Sequence, residues 1–283
     1  MQVQVEQRRV IQIIRAEVMS DRPEFRAYSL GRHNLGDGID PFIQLDHFYM
    51  RAPIFPPHPH AGFSAVTYMF EDSAGSFQNR DSLGDRALIH PGDLHWTQAG
   101  SGLMHEEIPS PPGTLCHGAQ IFVNLAAKHK WSQPVALHLD SALVPEYVNP
   151  TGGKARVVVG SAFGLESPLQ PLTPVTLLDV TLPPLGKIIH TLLPSHHAFV
   201  HVIQGSGEFG AGRSHLEALD VALLEQGSET AIVQANELGL HYLLGAGEPL
   251  NEPVVSQGPF VMNTDEEIQR AIVAYQSGHM GRL

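Results

Sequence analysis

The chain has 283 residues, enough for two domains of ordinary size, each with a core of its own. Apolar residues make up 42% and charged residues 16%, with 27 Gly and 22 Pro spread along the length, a composition that is globular and turn-rich and excludes disorder. A formal net charge of -12 opposes direct binding to nucleic acid, and the single cysteine, Cys116, rules out an internal disulfide and a thiolate metal cluster.

At the N-terminus, Met1 to Glu6 alternates polar and apolar residues without the core of a signal peptide, and Arg8-Arg9 reads as a solvated strand end. No stretch approaches the ~20 apolar residues of a membrane span, so no membrane association is expected. With one cysteine in the chain, a reducing cytoplasm is the expected compartment.

Strand patterns then recur along the chain. Ala65 to Phe70, Ala155 to Val159 and Val175 to Val180 are short β-branched or aromatic runs, and Gly36-Asp37-Gly38, Pro91-Gly92-Asp93 and Gly205-Ser206-Gly207 are turn clusters. An all-β sandwich or barrel follows. Val66 to Gly75 has a counterpart in Phe199 to Gly207, and Ile89 to Gly100 resembles Leu216 to Gly227, so the architecture reads as a duplication. Pro134 and Pro145 lie in a stretch of weak periodicity from Lys128 to Asn149. A linker is placed there, with domains at 1–133 and 134–283. One helix closes the chain: Thr264 and Glu267 form a capping box, and Ile268, Ala271, Ile272 and Tyr275 supply an apolar stripe before the stop at Gly278.

Histidine is abundant, at 17 residues, and spacing decides which of them matter. In Pro57-His58-Pro59-His60 two imidazoles sit two residues apart, so an extended chain sends both to one face while the prolines hold it extended. In His105-Glu106-Glu107, His105 and Glu107 share one face in the same way and Glu106 points oppositely. Together His58, His60, His105 and Glu107 form a candidate set of three nitrogen donors and one oxygen donor. Such a set suits iron(II), manganese, nickel, copper or zinc and is a poor match to calcium. No later histidine completes a helical metalloprotease motif, so peptidase chemistry is not expected.

These motifs occur in the order seen in pirin-like proteins, and the chain resembles that family from about Pro41 onward. Pro41 to Phe48 is similar to the family's early strand, Pro57 to Phe63 to its first ligand motif, and Gly102 to Pro109 to its second. Arg80 to Gly84 and Pro91 to Gly100 fall between them in family order, and Gly258 to Thr264 resembles the family's tail. The resemblance implies two tandem cupin barrels with a C-terminal helix. It also implies one divalent transition metal per chain, expected to be iron(II), in the first barrel, and a second barrel without a metal site.

Two departures stand out: His95 replaces a neutral glutamine, and Gln78-Asn79 replaces a histidine-bearing stretch. In the second barrel, His196, His197, His201 and His241 lack a carboxylate at ligand spacing and read as non-ligands. His90, His95, His117 and His129 read as surface or core residues.

Pirin-like proteins resemble quercetin 2,3-dioxygenases. The resemblance therefore implies opening of a flavonol ring by dioxygen, with Glu107 the one base that presents itself, and Phe63, Tyr68, Trp96, Met104 and Phe122 as candidate walls for an aromatic substrate. The alternative it implies is an iron-containing, redox-sensitive regulator whose acidic surface meets a basic protein partner. A cupin that binds only metal and a small carboxylate is the third reading.

Overall fold

A computed structural model describes residues 6–283. The all-β expectation holds: two cupin barrels of antiparallel strands are followed by one C-terminal helix. In the first barrel, one sheet runs in the order Val135–Leu139, Leu94–Gln98, Phe63–Met69, Cys116–Asn124, Phe42–Met50, Phe25–Gly31, Glu17–Arg22. The opposing sheet runs His58–His60, Leu103–Ser110, Ser76–Asp81, Leu88–Ile89.

The second barrel reuses this plan with two long strands, His197–Phe209 and Thr230–Gly247, that pass through both layers. Register shifts at Val202/Gln204 and Gly205/Gly207 let His197–Phe209 bend from one layer into the other. Leu94–Gln98 pairs with Phe63–Met69 as Asp220–Leu224 pairs with the first half of His197–Phe209, which is the repeat seen in the sequence.

One apolar core joins the barrels: Val66, Trp96 and Ile121 of the first are buried in the same cluster as Phe199, Val221 and Leu243 of the second. The chain ends also cross between them. Val10–Arg15 pairs with Asp220–Leu224 of the second barrel, while Phe260 bridges Ala61 of the first. A boundary between 133 and 134 therefore divides the sequence but not the sheets. The expected linker is itself structured, because Val135–Leu139 completes the first sheet and Glu146–Val148 joins the second. Its alternation is real: Leu137 and Leu139 pack on the shared core, a period-2 signal masked by the flanking prolines.

The Arg8 expectation is corrected. Arg8 is fully buried, and its guanidinium donates to the carbonyls of Ser228, His196 and Leu193, whereas Arg9 is exposed and pairs with Glu225.

The helix spans Asp265–Gln276, capped where expected: Thr264 Oγ1 accepts from the Glu267 amide. The Glu267 carboxylate accepts from the Asn263 amide, one residue earlier than a strict capping box. Ile268 and Ala271 are buried with Ala61, Phe260, Met262 and Met280, so the tail packs beside the first ligand strand. No helix among the described residues is long and apolar enough to cross a membrane.

Candidate metal centre

The two histidine motifs meet as neighbouring antiparallel strands, with His58 opposite His105 and His60 opposite Leu103. The period of two turns His58, His60 and His105 to the barrel interior. Their ring centroids lie 4.7 Å apart for His58 and His105, 4.7 Å for His60 and His105, and 4.8 Å for His58 and His60. One ring nitrogen from each lies within 4.8 Å of the others. His60 and His105 are buried and His58 half-buried.

The protonation pattern suits a cation. Burial, and then the proximity of the other imidazoles, lowers the His105 pKa well below its ordinary value and takes His60 down to about 3, so both rings are neutral at pH 7. Burial also lowers His58. The His58 Nδ1–H donates to the Pro56 carbonyl at 3.0 Å, which leaves Nε2 as the lone-pair nitrogen, 3.2 Å from His60 Nε2. Neither ring nitrogen of His105 has a hydrogen-bond partner, a costly arrangement that a bound ion at the cluster would relieve at one of the two.

Glu107 lines the same cavity but stands outside the imidazole cluster. Its carboxyl oxygens lie 2.7 and 2.8 Å from Thr67 Oγ1, which is in turn 3.0 Å from Gln120 Oε1. Burial raises the Glu107 pKa to about 7, against the opposing hydrogen bond with Thr67. A hydroxyl has one proton. In the neutral state Glu107 donates to Thr67 and Thr67 donates to Gln120; in the ionised state Thr67 donates to Glu107 instead.

The cavity has a volume of about 170 Å³ and is walled chiefly by Phe25, Phe48, Phe55, Phe77 and Phe122, with Asp46 and Gln120 as further polar groups. Of the aromatic walls expected from sequence, Phe122 lines it and Phe63 packs against Phe122 at 4.8 Å between centroids. Tyr68 and Trp96 sit instead in the core between the barrels, because they alternate with the inward-facing Thr67 and His95. Met104 is buried outside the cavity lining.

Lys130 was not singled out in the sequence, yet its ammonium is fully buried and donates to Gly62 O, Asn124 Oδ1 and Val261 O. It ties the turn after His60 to the C-terminal tail. Gly62 has φ +85, and a Cβ there would meet Val261 O at 1.9 Å, so glycine is required at this contact. Nothing in a lone lysine between histidine and tryptophan signals such a role.

Three of the other histidines form a different feature. His117 Nδ1 lies 2.7 Å from Asp72, His47 Nε2 is 2.9 Å from His117 Nε2, and His201 Nε2 is 3.4 Å from His47 Nδ1, a buried polar row between the barrels. His241 pairs with Asp179 at 2.6 Å. In the second barrel, the ladder beside strand Lys187–Thr191 sets His190 against Ala231 and Ile188 against Val233, so apolar partners take the inward places.

The pirin profile matches residues 24–123, and the pirin C-terminal cupin domain profile matches residues 177–281. The chain belongs to the pirin family. Human pirin is 35% identical over 256 residues, covering 89% of this chain and 86% of that protein. A pirin-like protein from Solanum lycopersicum is 37% identical over 256 residues, covering 89% and 86%. Among solved structures, a quercetin 2,3-dioxygenase from Acinetobacter baumannii superposes with a TM-score of 0.88 at 27% identity, covering 97% of this chain and 98% of that one. The bacterial pirin YhhW from Escherichia coli, solved with nickel(II), shares the fold with a TM-score of 0.65 at 16% identity, covering 84% and 100%. Membership of the pirin family implies a divalent metal, and the neutral, converging imidazoles fit one.

Proposed function

We propose that this pirin-family protein is a metal-dependent dioxygenase of the quercetin 2,3-dioxygenase type, opening a flavonol ring with O2, with iron(II) held by His58, His60, His105 and Glu107. The observation that carries the reading is the convergence of three neutral imidazoles on an apolar cavity that also holds a carboxyl group titrating near neutrality. Bound there, the metal supplies Lewis acidity toward an enolic hydroxyl and reactivity toward dioxygen. The phenylalanine walls bind the aromatic rings and exclude water. Glu107, turned from Thr67 by side-chain rotation, would serve as the fourth ligand and as the acceptor of the hydroxyl proton; without the metal its pKa is about 7, and the cation would lower it. Thr67 and Gln120 then hold the protonated carboxyl. Iron(II) and the buried free Cys116 suit a reducing cytoplasm.

The test is anaerobic reconstitution with iron(II), then admission of oxygen while oxygen uptake and quercetin loss are followed together. Coupled consumption that vanishes in Glu107→Ala supports the oxygenase. Stoichiometric metal without turnover moves the assignment to the second reading, a redox-sensitive regulator with a basic protein partner. One observation favours that reading: the cavity of about 170 Å³ is below the roughly 300–1,000 Å³ usual for sites that bind drug-sized ligands. A flavonol must therefore displace a wall residue such as Phe55, which is exposed at the cavity mouth.

A further inference from the structure

The Pro91–Asp93 turn and the crossover strand Val135–Leu139 bring a second group of donors together, apart from the histidine cluster. His138 Nε2 lies 3.5 Å from Asp93 Oδ2 and 3.4 Å from Asp140 Oδ1, and the three ligand atoms lie within 4.8 Å of one another. Ligands at zinc's usual 2.0–2.1 Å in tetrahedral array stand about 3.4 Å apart, so the two distances to His138 match edges of such a polyhedron. Asp93 is buried and its carboxylate is held in place by the amides of His90 and Ser141, with lone pairs left over.

A second feature lies beside it. His95, directly opposite His138 across the strand pair, is 1% exposed and has no partner on either ring nitrogen. Its ring lies 5.7 Å from that of His138, and its Nε2 is 3.9 Å from Asp85 Oδ1, too far for a hydrogen bond. His105 shows the same pairless state at the metal centre.

We propose that Asp93, His138 and Asp140 form a second divalent-cation site of the zinc type, with the unpartnered His95 beside it. Two carboxylates balance the cation's charge, His138, whose pKa its hydrogen bond to Asp93 raises, gives up its proton on binding, and the exposed His138 and Asp140 leave the site open to solvent. The cation latches the Asp93 turn to the crossover strand that leads into the second barrel. Arg156 of that barrel already reaches the same place through Gly92 O and Ser141. Because the site shares no ligand with the histidine cluster, it stands whether or not the protein is an oxygenase.

The experiment uses metal-stripped full-length protein and zinc alone. Bound zinc is counted by equilibrium dialysis in His105→Ala, which removes the first centre, and in His105→Ala combined with His138→Ala or with Asp140→Asn. The proposal expects one zinc in His105→Ala, a zinc-dependent rise in its melting temperature, and at least tenfold weaker binding in both combined variants. The exposed Asp140→Asn change guards against a folding artefact. Equal zinc affinity in His105→Ala and the two combined variants, or no zinc bound by His105→Ala, would overturn it.

Discussion

Thr67 Oγ1 sits within hydrogen-bond distance of both carboxyl oxygens of Glu107, and this contact holds the carboxyl beside the three imidazoles instead of among them. Of the two influences on Glu107, burial raises its pKa and wins, while the Thr67 hydrogen bond lowers it. Thr67→Val therefore raises the Glu107 pKa further above about 7 in the metal-free protein, by roughly one unit for a hydrogen bond of about 1 kcal/mol. Infrared titration of the carboxyl band, with Glu107→Gln to assign it, reads the shift; an unchanged or lowered midpoint contradicts the arrangement.

The centre needs both His58 and His105. His105 has no hydrogen-bond partner of its own, and removing it costs the centre a buried nitrogen that nothing replaces. His105→Ala and His58→Ala are each expected to lower the bound-metal count by one equivalent after anaerobic reconstitution. Full metal content in either variant refutes the ligand assignment.

Acid should weaken the fold through histidines far from the centre. Burial holds His190 and His201 at about 4, against about 6.5 in an unfolded chain. Below pH ~6.5 the unfolded state binds more protons than the native one, so stability present above that value is lost as the pH falls through about 4. Each group costs roughly 2 kcal/mol by about pH 5. Urea midpoints of the metal-free protein at neutral pH and near pH 5 measure the loss. His190→Phe should show a smaller loss between the two than the wild type; an equal loss removes His190 from the account.

Lys130 offers a separate test of how the ligand strand is held. Lys130→Met strands Asn124 Oδ1 and the carbonyls of Gly62 and Val261 in a buried setting, which costs about 3 kcal/mol. The exposed Lys128→Met should cost under about 0.5 kcal/mol. Denaturation curves compare the two, and similar losses contradict a pinning role for Lys130.

Much of the fold was readable because its signals are local. Alternation marked the strands, Thr264 and Glu267 marked the helix start, and parity put His58 and His60 on one face of their segment and His105 and Glu107 on one face of theirs, the pairing of the two segments resting on the family resemblance and seen in the structure. What stayed hidden depends on partners distant in sequence. Arg8 is buried by carbonyls of Leu193, His196 and Ser228, a placement that no charge pattern near residue 8 could announce. Tyr68 and Trp96 went to the core between the barrels because a second barrel covers the outer face of their strands. Glu107 has the parity of a ligand but a rotamer set by Thr67, which lies forty residues away in sequence.

The central claim, that the histidine cluster is the metal centre of a flavonol dioxygenase, is tested most directly by the ratio of oxygen consumed to quercetin lost in iron(II)-reconstituted protein, beside His105→Ala treated identically. The account predicts equimolar consumption in the wild type and none above background in the variant. Metal-loaded wild type that leaves quercetin untouched, or a variant that consumes it equally well, would contradict it.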